Sequence, residues 1–587
     1  MRRVLTGDVE GLTVKEDGVS ADSQEHHRKT DDKLAPGLYS NATIFLKGVR
    51  IDGRLNCQGA DIWAPLFCYD CVFSDTIDLE DASINTAFFA NCDFHGGLLF
   101  ARLTAHRSMG FSGCILDHGL RGDGLVIGRS LYFRGSSNRR LIAKKEVWLV
   151  GSRIEVQLAC NEADFRADSA KEVLSSLVCD SMIVGQSVHL IDVMAQGAVS
   201  LNSAGIGGQL NCVGSSFHHG YPLTDKKHFA LNCESIVIAR HLFLARTRPD
   251  KNGHTTNTNA TGIVNISGAK IGGSLICRGI DLDCGTSPEE GTVALTIARA
   301  TVEQNFLLQD LSLKGDVDLT GASVNELHDE EATWPIEANS DVNGRLHLGG
   351  FRYRALNPAS QFDWKKRKQW LQCQPKSDLG KKFQPDAWTQ LTRIYRNTGR
   401  DLDAREIAKD REKCRTKMYF SRGRRVAGFL RQSLGVFFGY GYDALRATGF
   451  CVFFMVVFAA LFWKFERDGV MVPSSNEALI YSAGLGEADA IVPPPGYAAF
   501  NPLMYSVDLF VPFVNLQQAE RWQPRSYVDS AAPRPTVGEI RENPLRLLRF
   551  FDWLVHPKTI MWLEILFGWV FVTTTGLTFS GVLRQYE

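Results

Sequence analysis

Residues 55–94 read "LNCQGADIWAPLFCYDCVFSDTIDLEDASINTAFFANCDF", and their spacing decides how the chain folds. An apolar-x-apolar pair is followed, five residues after its first member, by a small or aliphatic residue. A bulky apolar residue comes two further on. Leu55-x-Cys57 with Ala60-x-Ile62 is one such unit, and Leu66-x-Cys68 with Cys71-x-Phe73 is the next. Ile77-x-Leu79 with Ala82-x-Ile84 and Phe88-x-Ala90 with Cys92-x-Phe94 continue the series, and Ile44-x-Leu46 with Val49-x-Ile51 precedes it. The interval is eleven residues, and self-similarity at a fixed period is the signature of a stacked repeat.

Outward from that stretch the beat slips after residue 94 and returns from Val147 to Leu346, in units such as Leu158-x-Cys160, Leu210-x-Cys212, Leu231-x-Cys233 and Leu275-x-Cys277. The interruptions "RTRPDKNGHTTNTNATG" (246–262) and "HDEEATWP" (328–335) are polar and belong in surface loops. Spacing of two within each pair places alternate side chains on one side, so each unit predicts two short strands with their apolar residues inward. Eleven residues cannot form a free-standing sheet, but stacked coils bury one another's inward rows. Two units per coil give four faces and about 22 residues, a right-handed quadrilateral β-solenoid over 38–356. Roughly twenty units make about ten coils, about 50 Å long at ~4.8 Å between strands.

The stretches "ADIWA" (60–64), "CVFSD" (71–75), "ASINT" (82–86) and "CDFHG" (92–96) resemble the units of pentapeptide-repeat proteins, which place a small residue two before Leu or Phe. The resemblance covers about residues 38–355, as an eleven-residue relative of that repeat, and implies the same coil.

Recurrent Leu-x-Cys suggests metal, disulfide or redox chemistry, but the frame gives another reading. Cys57, Cys68, Cys160, Cys179, Cys212, Cys233 and Cys277 share a slot that holds Leu79, Leu149, Leu201, Leu319 and Leu348 in other units. A slot that takes Leu or Cys asks for a compact apolar group. Cys71, Cys92 and Cys114 take the small-residue slot. Cys68-Tyr-Asp-Cys71 is a CxxC, with no second CxxC or CxxH at ligand spacing. His106, His118, His218 and His219 share no register. No phosphate-binding, dinucleotide-binding or nucleophile-elbow motif occurs. No catalytic residue, cofactor or metal is therefore expected, and the reading is non-enzymatic.

The 587 residues carry 65 basic and 65 acidic side chains, so no net field argues for nucleic acid. Residues 1–37 are polar, lack a signal-peptide core and read as a disordered tail. Residues 357–440 read as a helical cap and basic neck. Trp388, Leu391, Ile394 and Tyr395, then Leu402, Ala404 and Ile407, predict an α-hairpin that covers the open end of the solenoid.

Residues 441–587 read as a membrane domain. "ATGFCVFFMVVFAALFW" (447–463) carries no charge and centres a spanning helix over 445–464; a second lies over 560–583. Eleven basic against four acidic residues between Arg405 and Arg446, and nine against eleven over 464–559, place both termini in the cytoplasm by the positive-inside rule. Between the spans, 499–517 is apolar and too short to cross; it reads as an interfacial amphipathic helix or a re-entrant pore element. Asp508, Asn515 and Glu564 are the candidate pore or membrane residues, because carboxylates and amides at that depth are costly. The filter-like Gly439-Tyr440-Gly441 falls before the first span and reads as a turn.

"AWTQLTRIYRNTGRDLDAREIAKDRE", "GYGYDALRA", "FNPLMYSVDLFVPFVNL" and "WLEILFGWVFVTTTGLTFSGVL" together resemble a bacterial membrane-protein family whose members sometimes bear the label "membrane-associated oxidoreductase". The resemblance implies an inner-membrane protein; the residues offer nothing for redox chemistry. The expected function is a bilayer-anchored solenoid for protein interaction or sensing. The alternative is an ion-conducting or permeabilising homo-oligomer, since two helices cannot enclose a pore.

Overall fold

The computed structural model describes residues 15–16, 43–166, 175–219, 228–284, 292–335, 342–484, 494–525 and 556–580. The expected tail of 1–37 lies outside them except for Lys15–Glu16, which pairs antiparallel with Val49–Arg50. The chain forms two compact units, 1–407 and 408–587.

The first unit is a stack of short parallel strands that does not close into a barrel. Leu66 pairs with Ala87, Ala87 with Met109, and Met109 with Leu131, so each strand lies beside its counterpart one coil on. One face is a sheet of twelve strands from Leu55–Asn56 to Leu346–His347. Twelve rungs span about 53 Å at ~4.8 Å each. The other faces run together in a second, thirty-three-stranded sheet. Corners turn on residues in the left-handed region, among them Gly59, Asp81, Arg102 and Gly124, one per coil. The amide of each donates to the coil above, as Gly59 does to the Glu80 carbonyl at 2.8 Å.

The inward rows form a continuous apolar core. Phe89, Phe111 and Phe133 stack along the axis with centroids 5.2 and 5.3 Å apart. Their rungs correct the expected unit at Phe88-x-Ala90: Ala87 and Phe89 are buried, while Phe88 and Ala90 face outward. The step from Leu66 to Ala87 is 21 residues rather than 22. The beat does not slip after 94 either. Leu98, Met109, Leu120 and Leu131 are buried rungs.

The end of the stack is covered by α1 (Trp364–Gln372), α2 (Lys376–Leu379) and α3 (Asp386–Asn397). Trp388, Leu391, Ile394 and Tyr395 of α3 are buried as their spacing required. Gln390 Nε2 donates to the Tyr353 carbonyl of the last strand. The second hairpin helix is α4 (Asp401–Ser421), on which Leu402 points to solvent. Helix α1 was not legible in the sequence. It carries a buried latch that overturns the surface-loop expectation for "HDEEATWP": Arg367 Nη1 and Nη2 donate to both oxygens of Asp329 at 2.8 and 2.7 Å. Trp334 Nε1 donates to the same carboxylate, and all three side chains are buried. That polar segment is polar because it builds an internal ion pair.

The second unit holds the rest of α4, then α5 (Arg425–Phe438), α6 (Ala444–Arg467), α7 (Asn476–Gly484), α8 (Pro502–Phe510), α9 (Gln518–Arg521) and α10 (Pro557–Phe579). The neck is internally paired: Glu412 is buried and meets Arg411, Arg415 and Arg431, which ties α4 to α5. Gly439-Tyr440-Gly441 is a turn joining α5 to α6, as read.

Candidate functional site

Helices α6 and α10 are long and apolar enough to cross a membrane. Both leave broad apolar surface uncovered, including Val452, Phe453, Val456 and Trp463 on α6 and Trp562, Leu566, Trp569 and Val570 on α10. Water is a poor solvent for such a band, and lipid a good one.

Helix α8 begins at Asn501, whose carboxamide oxygen accepts the Leu503 and Met504 amides with Pro502 at the first turn. It packs beside both long helices. Ser506 Oγ lies 2.9 Å from the carbonyl oxygen of Met455, the twelfth of the twenty-four residues of α6. The C-terminus of α8 meets α10 at Gly568, the twelfth of twenty-three, where an added Cβ would stand 2.1 Å from the Phe510 carbonyl oxygen. The chain then returns, and Trp522–Pro524 pairs antiparallel with Met471–Pro473, just beyond the end of α6. The segment therefore reaches halfway along both apolar helices.

Asp508 and Asn515 fall together at the return turn. The Asp508 carboxylate accepts the Leu516 amide at 2.7 Å and the Ala519 amide at 2.8 Å, which closes the return turn. Asn515 donates to Glu520 and accepts from the Gln517 amide. Glu564 lies elsewhere, on α10 against Ser506, with no exposed surface. Its Oε1 bonds the Ser506 hydroxyl, and its Oε2 has no partner among the described residues. Sequence reasoning missed Ser506, because one serine in an apolar stretch carries no spacing signal.

The solenoid thiols are all buried. Burial pushes Cys160, Cys179 and Cys212 up, and Cys233 and Cys277 up to about 12. Cys68 is pushed up by its hydrogen bond to Cys71 and by burial, while the same bond and one to Cys92 lower Cys71. Among the described residues no three His, Cys, Asp or Glu side chains gather as a metal site requires. His219 and His228 touch, Nε2 to Nδ1 3.0 Å, and no third ligand joins them among those residues.

The outer surface carries a column that the sequence reading did not isolate. Phe45, Phe67, Phe88, Gly110 and Tyr132 occupy one outward register position on five successive coils. Phe67 and Phe88 stack at 5.9 Å. Phe88 and Tyr132 meet at 6.3 Å across Gly110, where a Cβ would stand 2.9 Å from the Phe88 ring. Ala159, His189 and Asn211 follow in that register, so the aromatic patch is bounded. Comparison of the chain with protein-family models, with curated proteins and with solved structures returns no match.

Proposed function

We propose that this protein is a non-enzymatic, bilayer-anchored scaffold of the bacterial inner membrane, with its termini in the cytoplasm and a right-handed solenoid, akin to a pentapeptide-repeat coil, that docks a protein partner. The observation that carries this reading is the aromatic column. Isolated exposed apolar residues are ordinary, but a stacked row held rigid by backbone spacing is the composition of an interface core. Rigid aromatic anchors lose little side-chain entropy on binding, which favours docking over chemistry. The thiols of Cys160, Cys179, Cys212, Cys233 and Cys277 support the non-enzymatic part, since burial raises them and a thiol held protonated neither attacks nor binds metal readily.

The test is the size of the native complex. In mildly solubilised membranes the wild-type chain should migrate in a complex that Phe67→Ser/Phe88→Ser dissolves, with membrane association unchanged. Migration unaltered by that pair of substitutions sinks the reading.

A second reading has one observation in its favour, the half-depth position of α8. An oligomer of such units could line a pore with their return turns. A purified protein that is monomeric and silent in planar bilayers removes it.

A further inference from the structure

The contact of Ser506 with Glu564 has a consequence for where a proton sits. Ser506 and Glu564 are both fully buried. Ser506 Oγ lies 2.9 Å from the Met455 carbonyl oxygen and also bonds Glu564 Oε1. A hydroxyl carries one hydrogen, and neither a carbonyl nor a carboxylate can donate. If the hydroxyl hydrogen goes to Met455, the second bond exists only when Glu564 carries a proton and donates it toward Ser506 Oγ. If it goes to an ionised Glu564, the Met455 oxygen faces a lone pair at 2.9 Å, and Oε2 is a buried anionic oxygen without a partner among the described residues.

Among the described residues the surroundings offer that anion no hydrogen bond at Oε2. Residues 447–463 of α6 carry no charge. Helix α8 brings Tyr505, whose buried hydroxyl has no partner among the described residues, while Asp508 of the same helix is already spent on two amides. On α10 itself the next ionisable group is Lys558, six residues earlier. Helix α5 meets α10 at Phe571, and its Arg431 is taken by Glu412.

We propose that Glu564 is a proton-binding site: a neutral carboxylic acid that donates to Ser506, which donates to the Met455 carbonyl, so that one proton ties α10, α8 and α6 into a chain. On deprotonation the proton leaves Oε1 for solvent. The Ser506 hydrogen turns to the carboxylate, and the bond to α6 breaks. The bound ligand is a proton, and its loss loosens α8 from the long helices. This inference does not depend on the docking reading.

The test uses the full chain in lipid vesicles. At neutral pH the infrared carbonyl band of a protonated acid should be present in the wild type and absent in Glu564→Gln. Dicyclohexylcarbodiimide, which adds across a protonated buried carboxyl, should label the peptide containing Glu564 at neutral pH and progressively less as pH rises. The folded state holds a proton that the unfolded chain releases, so thermal stability of the membrane unit should fall with rising pH. Glu564→Gln, whose amide can donate the same bond, should not show that fall. Absence of the acid band and the label at neutral pH, or the same pH dependence in both proteins, overturns the proposal. If Glu564→Gln fails to insert, the wild-type label and its pH dependence decide alone.

Discussion

Replacing Arg367 with Ala should open the end of the solenoid. Arg367 holds Asp329 with two bonds of 2.8 and 2.7 Å, and its Nε donates to the Gln361 carbonyl at 2.6 Å. Its guanidinium lies 4.9 Å from the Trp334 ring and 5.3 Å from the Trp370 ring. Burial alone would push the Asp329 carboxyl up; the Arg367 charge and the bonds from Arg367 and Trp334 outweigh it and hold the carboxyl below its usual range. Truncation leaves that carboxylate buried with Trp334 and Ser360 as its neighbours. Breaking one side of a buried pair costs about 3–5 kcal/mol. Local opening by that amount lowers amide protection by a factor of about 10² to 10⁴. Hydrogen exchange of the full chain reads this directly. In Arg367→Ala, peptides covering 342–357 and 364–397 should lose protection, while 98–133 should not. Asp329→Leu/Arg367→Met removes both charges at similar volume and should recover most of the protection. Unchanged exchange in Arg367→Ala, or a double variant as open as the single one, would refute the latch.

Cys212→Val and Cys233→Val should each cost about 1.5 kcal/mol or less, measured by denaturant unfolding, because the slot asks only for volume. His347 Nε2 lies 2.8 Å from Asp316, and that bond raises the imidazole above its ordinary value. The pair's contribution is therefore complete below the usual histidine range and lost as pH rises through the raised value. Exchange in 342–357 should quicken across that window, and His347→Asn should flatten the response. Gly568→Leu should expel α8, since its Cβ would stand 2.1 Å from Phe510 O. Maleimide labelling of the buried Cys451 on the neighbouring helix should rise with it, and unchanged labelling would show that α8 had not moved.

Where the sequence could be read and where it could not follow from physical causes. The pairs at Leu55 and Ile77 are apolar on alternate residues only, so alternation fixes their phase. "AFFA" at 87–90 is apolar on both faces, because Phe88 belongs to the outer column and Phe89 to the axis. Periodicity has no purchase there, and the phase is set by a coil one residue short. "HDEEATWP" misled for the opposite reason: a buried ion pair has the composition of a loop. The slot shared by Cys and Leu was legible because it is repeated. In the membrane unit, the carboxylates could be picked out by cost, yet only Glu564 is fully buried. Asp508 caps a turn eight and eleven residues on, and no spacing rule announces that. Ser506 meets Glu564 across 58 residues of chain, a separation that a single sequence does not encode.

The most direct measurement is photo-crosslinking in native membranes with a benzophenone amino acid at position 67, in the aromatic column, and at position 183, an exposed outward site on another face. The account predicts one adduct of defined mass from position 67, none from 183, and loss of the adduct when Phe45 and Tyr132 become Ser. Equal adducts from both positions, or none from 67 while the solenoid thiols still resist alkylation, would contradict it.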